Sequence, residues 1–593
     1  MNEYFKSPII LFLVLFINAC FSDDSVEVKI EKGVVLGTLE KTVFKKQDYY
    51  AFKGIPYAAA PVGKLRFKPP EPHQGWTDTL EAFTNTPTCM QFSARMRLDE
   101  PFGISGSEDC LFISIFTPNL QGTAPVVVFD HNDNFNTGFN GTKAYSPENF
   151  LEEDVVVVTI SHRLGIFGYL TTEDEVIPGN NGLRDFIFGL EWVKNNINNF
   201  GGDPNRVTLM GSCGGGALVN MLLFSKKAKG LFHNVIIQSG NAYESLYFYD
   251  DSKTKAYQLG EQFNIQTNDS VVLLDGLQKA GPEELLKKVV NVLSKDDLSK
   301  QRQLNAQIYG PIIEENNPNA ILTALPEESD LINDVPVLIG LNSREGLDFV
   351  SHFLFDPRLL STNAEESMLQ FPIRTGYRFE RDSKIYKEAT KEILNFYIES
   401  KNVDYNSVLE YSVYAGDVLQ GYSLNYAVKK LSAILESPVY YYMFDYRGQL
   451  NQNSQYLTRH SRYNLKHWGA TVSDELCYLH VCSRIRRDYV SLSKMVSEQR
   501  EQRVLKKMVR MWTNFAKTGN PTPKKDAVLD NFEWKPTSKD PENLEYLHIT
   551  KSLKMSVNPL GKRGQFWDEF LKKYAEMAVD GVVPDIIEVK DEL

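Results

Sequence analysis

Arg206-Val207-Thr208-Leu209-Met210-Gly211-Ser212-Cys213-Gly214-Gly215-Gly216 is the stretch that decides the fold. A short apolar run leads into a sharp turn, and the turn into a helix start. Glycine stands two before and two after Cys213. A tight strand-to-helix elbow needs this, because its central residue is held in strained geometry and the flanking backbones approach too closely for side chains. The pattern is Gly-x-Cys-x-Gly, with cysteine where a nucleophilic serine is expected. Ser212 stands one position too early to take that place.

Outward from the elbow, β-branched runs recur at Val126–Phe129, Val155–Ile160, Val235–Gln238, Val337–Leu341 and Val439–Tyr446. Several are continuously apolar, as strands buried on both faces are. Helix-length segments such as Gly182–Asn196 and Gly214–Phe224 lie between them. This alternation predicts an α/β fold: a large, mostly parallel central sheet with helices on both faces and its chemistry in loops at the carboxyl ends of the strands. The chain has 593 residues, 64 Lys+Arg against 76 Asp+Glu, a net charge of −12, 42 % hydrophobic and 24 % charged residues. A prior of roughly 150 residues per domain suggests about four domains. The absence of linkers, repeats and biased tracts argues instead for one domain over 23–575. An acidic chain without basic clusters is a poor partner for nucleic acid or anionic membrane. No motif supports a metal or nucleotide cofactor.

With these pieces placed, the chain resembles the type-B carboxylesterase and cholinesterase family of α/β-hydrolases. The resemblance is carried by Phe52-Lys53-Gly54-Ile55-Pro56-Tyr57, Leu65-Arg66-Phe67, Glu108-Asp109-Cys110-Leu111, Arg163-Leu164-Gly165 and Asn181-Gly182-Leu183-Arg184-Asp185. It continues through Phe200-Gly201-Gly202-Asp203-Pro204, the elbow, Gln238-Ser239-Gly240, Trp512-Thr513-Asn514-Phe515-Ala516 and Gly519-Asn520-Pro521-Thr522-Pro523, so it covers roughly 27–575. It implies a disulfide between Cys89 and Cys110. It also implies a nucleophile at Cys213, an acid at Glu345 in Asn342-Ser343-Arg344-Glu345-Gly346, and a base at position 472.

The acid is present and the base is not. In Gly469-Ala470-Thr471-Val472-Ser473-Asp474-Glu475-Leu476 the flanks match the family's histidine loop, yet Val472 stands where histidine belongs, and an isopropyl group accepts no proton. His467 and His480 are the nearest alternatives and need a reshaped loop. The oxyanion loop reads Asp130-His131-Asn132-Asp133-Asn134-Phe135 where the family has His-Gly-Gly-Gly-Phe. Asn and Asp tolerate positive φ, so the turn can keep its shape, and the Gly214 amide remains as a donor. Asp133, however, brings a carboxylate to a place built for developing negative charge, where losing even one donor costs roughly 3 kcal/mol. Three departures converge on one site while the scaffold motifs stay intact.

The expected protein is therefore a carboxylesterase homologue without esterase activity that keeps an apolar pocket for a small molecule or a protein partner. The alternative is an ester or thioester hydrolase or acyltransferase using Cys213, whose thiol the following helix N-terminus would activate. A third reading is an interaction protein like the adhesion molecules of this fold. A cholinesterase-like substrate is disfavoured, since no tryptophan lies between Cys89 and Cys110.

The ends suggest an address. Lys6 followed by the apolar stretch 9–17 and small residues to Ser22 reads as a signal peptide over 1–22. Lys590-Asp591-Glu592-Leu593 spells the retrieval signal of the endoplasmic reticulum, implying its receptor as a partner, with 576–593 an exposed tail. Asn140 and Asn268 open N-glycosylation sequons. No stretch reaches the roughly 18 apolar residues of a membrane span. Cys477 and Cys482, five apart in what reads as a helical segment, are expected as unpaired buried thiols.

Overall fold

The computed structural model describes residues 25–92, 103–138, 144–248, 251–289, 291–292, 309–361, 368–381 and 383–585. The leader, Asn140 and the terminal tetrapeptide lie outside the described residues.

The apolar runs form the middle of a 14-stranded sheet. In spatial order its parallel heart is Val156–Ile160, Ala124–Asp133, Gly202–Cys213, Asn234–Gln238, Val337–Asn342, Val439–Phe444 and Glu545–Ile549. Antiparallel strands flank it, Ser25–Ile30 through Phe112–Thr117 on one side and Leu553–Val557 on the other. Successive residues of a strand face opposite sides, and the heart uses both. Val126, Val128, Leu209, Ile237 and Ile339 enter one core with the helix Asn181–Asn196. Val127, Phe129, Met210, Ile236 and Leu338 enter the other with the helix Arg500–Thr518. This two-sided burial is why the strands read as unbroken apolar runs. Among the described residues no helix is long and apolar enough to cross a membrane.

The elbow is built as its glycines require. Cys213 has φ 54° and ψ −123°. A Cβ on Gly211 would lie 2.0 Å from the Gly215 carbonyl oxygen, and one on Gly240 would lie 1.9 Å from that of Cys213. The helix Gly214–Met221 starts directly after it, on the carboxyl side of the sheet.

The disulfide Cys89–Cys110 is present. One expectation is corrected. Cys477 and Cys482 are not free thiols but a second buried disulfide, with Cα atoms 5.4 Å apart. The helical turn Glu475–Tyr478 ends before Cys482, which lies in the short strand Val481–Cys482 paired with Tyr145–Ser146; leaving the helical path brings the two within bridging reach. Of the expected tail from 576, the described residues to 585 are largely exposed but carry one anchored point. The helix Lys562–Met577 is followed by Val582–Val583, paired with Arg378–Phe379, and the Asp585 carboxylate accepts from the Ile385 amide at 3.0 Å. Val583 is fully buried, so a single apolar side chain in register anchors the segment.

Replacing both Cys477 and Cys482 by serine should cost about 2 kcal/mol, the loop-entropy value for so short a loop. A lowered melting temperature, with a linked 477–482 peptide in non-reducing maps of the parent, checks this.

Candidate active site

A cavity of about 750 Å³ opens at the carboxyl ends of the central strands, and Cys213, Asp133, Asn134 and Val472 all line it. Glu345 stands behind it, at the start of the helix Gly346–Phe349 that follows the strand Val337–Asn342. The structure thus brings the three expected seats and the oxyanion loop to one place.

Cys213 Sγ accepts from Ser212 Oγ at 3.9 Å. Enclosure by protein pushes its thiol well above the ordinary value, and the charges of Asp133, Glu345 and Glu475 push it the same way. Lost hydration and the nearby acids oppose the activation expected from the helix N-terminus.

Glu345 is 3 % exposed. Its Oε1 accepts from Ser239 Oγ at 2.5 Å, the Asn342 amide at 2.8 Å and Asn342 Nδ2 at 3.3 Å. Its Oε2 is buried without a partner. Burial first, and then the Glu475 charge, raise its pKa to about 8. Glu475 accepts from Asn342 Nδ2 at 2.6 Å and Gln238 Nε2 at 3.2 Å, and burial raises it to about 7.

Val472, 7 % exposed, is fixed by its loop. Asp474 ties that loop by accepting from the amides of Thr471 at 2.9 Å and Asn453 at 3.1 Å, and from Ser454 Oγ. Asn453 Nδ2 donates to the Val472 carbonyl at 2.8 Å, and Thr471 Oγ1 donates to the Glu345 carbonyl at 3.3 Å. The loop is ordered around an apolar side chain.

No other imidazole takes the vacant role. His480 is buried against Phe129 and Phe150, with ring centroids 4.5 and 5.2 Å away; neither ring nitrogen has a partner, and burial lowers its pKa to about 3. His467 is exposed. His131 lines the cavity against Tyr145, and burial lowers it to about 4.

The oxyanion loop keeps its turn. Asn134 and Phe135 take φ 52° and 61°. Asn132 Oδ1 accepts from the Phe135 amide at 2.8 Å, while its Nδ2 donates to Asp130 Oδ2 at 2.7 Å. Asn132 fills the space over Gly214, where a Cβ would meet its Oδ1 at 2.0 Å. Burial raises the Asp133 carboxyl.

The cavity itself corrects the expected apolar pocket. Besides Leu246, Phe349 and Leu419, it is walled by Asp133, Glu244, Asp348, Gln420, Gln452 and Asn453. Glu244 is raised to about 8 and Asp348 to about 6, burial being the largest cause for both. These residues went unread because they come from separated loops. Only Gln238-Ser239-Gly240 and Asp474-Glu475 carried a signal, as motif flanks without roles. Asn268 is exposed, as its sequon requires. Among the described residues no cluster of three or more His, Cys, Asp or Glu could hold a metal.

A strained elbow at the carboxyl end of a central parallel strand, with a carboxylate after a later strand, defines an α/β-hydrolase. The chain belongs to the carboxylesterase family, whose profile matches residues 24–567. It is 30 % identical over 579 residues to juvenile hormone esterase of Tribolium castaneum, covering 92 % of this chain and 94 % of that protein. It is 29 % identical to venom carboxylesterase-6 of Apis mellifera, covering 95 % and 97 %. The crystal structure of juvenile hormone esterase from Manduca sexta with OTFP covalently attached superposes with a TM-score of 0.72 at 25 % identity, covering 93 % of this chain and all of that one.

Glu345 has a folded pKa above its unfolded one, so the folded state holds the extra proton and stability falls as pH rises from about 4.5 to about 8. Glu345→Gln should stabilise the protein on the order of 2 kcal/mol at the alkaline end, and the gain should vanish at acidic pH. Melting temperatures across that window test it; a gain independent of pH would refute the assignment.

Proposed function

We propose that this chain is a carboxylesterase-family protein that has lost ester hydrolysis and uses its cavity to hold a ligand. The observation that carries the reading is Glu345 Oε2, buried and unpartnered while Val472 lines the adjoining cavity. In a working triad that oxygen orients an imidazole, and the imidazole takes the nucleophile's proton. Here the seat holds an isopropyl group. General-base assistance is worth roughly 10²–10⁴ in rate. Two further effects add to it: enclosure pushes the Cys213 thiol above its ordinary value, and Asp133 opposes a developing oxyanion, a term of several kcal/mol.

The same reading takes the protein to be lumenal and retained in the endoplasmic reticulum through Lys590-Asp591-Glu592-Leu593. Two disulfides, Cys89–Cys110 and Cys477–Cys482, support an oxidising compartment.

The purified chain should show no burst with an activated acyl ester and no organophosphate adduct by intact mass. The triple variant Cys213→Ser, Val472→His, Asp133→Gly restores nucleophile, base and neutral oxyanion loop, and turnover should appear in it. Stoichiometric labelling or turnover by the unmodified chain would overturn the reading.

A further inference from the structure

We propose that the cavity beside Cys213 takes an organic ammonium ion with an apolar body, whose N–H groups donate to the carboxylates of Asp133 and Asp348. This rests on the reading of the cavity as a binding site and supplies the chemistry of its occupant.

The first observation is an excess of acceptors. Asp133 and Asp348 both line the cavity. No protein hydrogen bond lowers either carboxyl. Burial raises both, and the Asp133 charge raises Asp348 further, so the two groups feel each other. Glu244 adds a third acid, a neutral carboxyl near pH 7, with Oε1 already taken by the Asn241 amide at 2.9 Å. Against these stands Arg484, the one Lys or Arg among the lining residues, and it is exposed. The lining His131 is neutral, its pKa near 4.

The second observation is independent of the carboxylates. Gln420 lines the same cavity and is 6 % exposed. Its Nε2 donates to the Ser239 carbonyl, which can only accept, so the orientation of the amide is fixed; Oε1 is left buried without a donor. Gln420 sits in the π-turn Asp417–Gly421, a distortion that concentrates at functional sites. A buried acceptor without a donor is costly, and Gln420 borders a space large enough for a drug-sized molecule.

The missing component is a donor with positive charge. The apolar side chains of the same wall suit an organic donor. A quaternary ammonium has no N–H to give, whereas a primary or secondary one has two or three. Leu246, Phe349, Leu419 and Val472 supply the apolar wall for the rest of the molecule.

Titration calorimetry of the full chain at neutral pH, with n-hexylammonium, hexyltrimethylammonium, 1-hexanol and hexanoate as probes, tests this. Hexylammonium should bind roughly 10-fold or more tighter than the other three, the worth of one charge-assisted hydrogen bond. Asp348→Asn and Asp133→Asn should each weaken it by a similar factor. Equal binding of hexanol or hexanoate, or variants that keep full hexylammonium affinity, would overturn the proposal. Should a variant fail to fold, the four-probe comparison on the parent decides alone. Ester turnover accompanied by selective amine binding would overturn only the loss of catalysis; absence of both would overturn only the ammonium site.

Discussion

The site depends on one backbone constraint, the left-handed conformation of Cys213 at the end of the strand Gly202–Cys213. It persists because three other backbones pack against the turn with no room for a Cβ: Gly211 meets Gly215, Gly215 meets the Asp130 carbonyl, and Gly240 meets Cys213 itself. Strain of this kind costs on the order of 1–3 kcal/mol and survives only where the surroundings over-determine it. Those surroundings are the parallel strands on either side, both buried on two faces. The elbow is thus kept by packing of the whole sheet, independently of which side chain stands at its tip. That is the physical reason the elbow accommodates a cysteine at its tip.

Around that fixed point the electrostatics have been inverted. A hydrolase of this architecture gathers donors and a proton carrier at the elbow, so that a nucleophile is deprotonated and a developing anion stabilised. This chain gathers acceptors. Glu345, Glu475, Glu244 and Asp348 are all raised chiefly by burial. Cys213 is raised by the same burial and by three of the surrounding acids. Each carboxylate makes its neighbours harder to ionise. The acids that serve an imidazole elsewhere here face an aliphatic side chain, and the ordered Asp474 network around Val472 shows a loop packed for that side chain. An apolar side chain at position 472 and an acid-rich cavity wall occur together at this one site.

Much of this was legible in the chain. Continuous apolar runs gave both the strands and their two-sided burial, and Gly-x-Cys-x-Gly gave the elbow, because each is a local rule with a fixed period or spacing. The seats at Glu345 and Val472 were reached through flanking motifs. The disulfide Cys477–Cys482 was misread because a five-residue spacing forbids a bridge only along a continuous helix, and the helix ends early. The pairing of Val582–Val583 with Arg378–Phe379 was not legible because the partner strand lies about 200 residues away. The polarity of the cavity was misread because Glu244, Asp348 and Gln420 sit in three unrelated sequence contexts.

The sequence alone determined what depends on neighbours along the chain: the sheet, the elbow, and a valine at position 472 of the loop that follows Gly469. The tertiary structure decided everything that depends on neighbours across space. It left one oxygen of Glu345 without a partner, set acids beside the Cys213 thiol, and drew carboxyl groups from separate loops around a single cavity. The reason is that solvation and charge act over a few ångströms in three dimensions, and a linear chain records those distances only once it is folded.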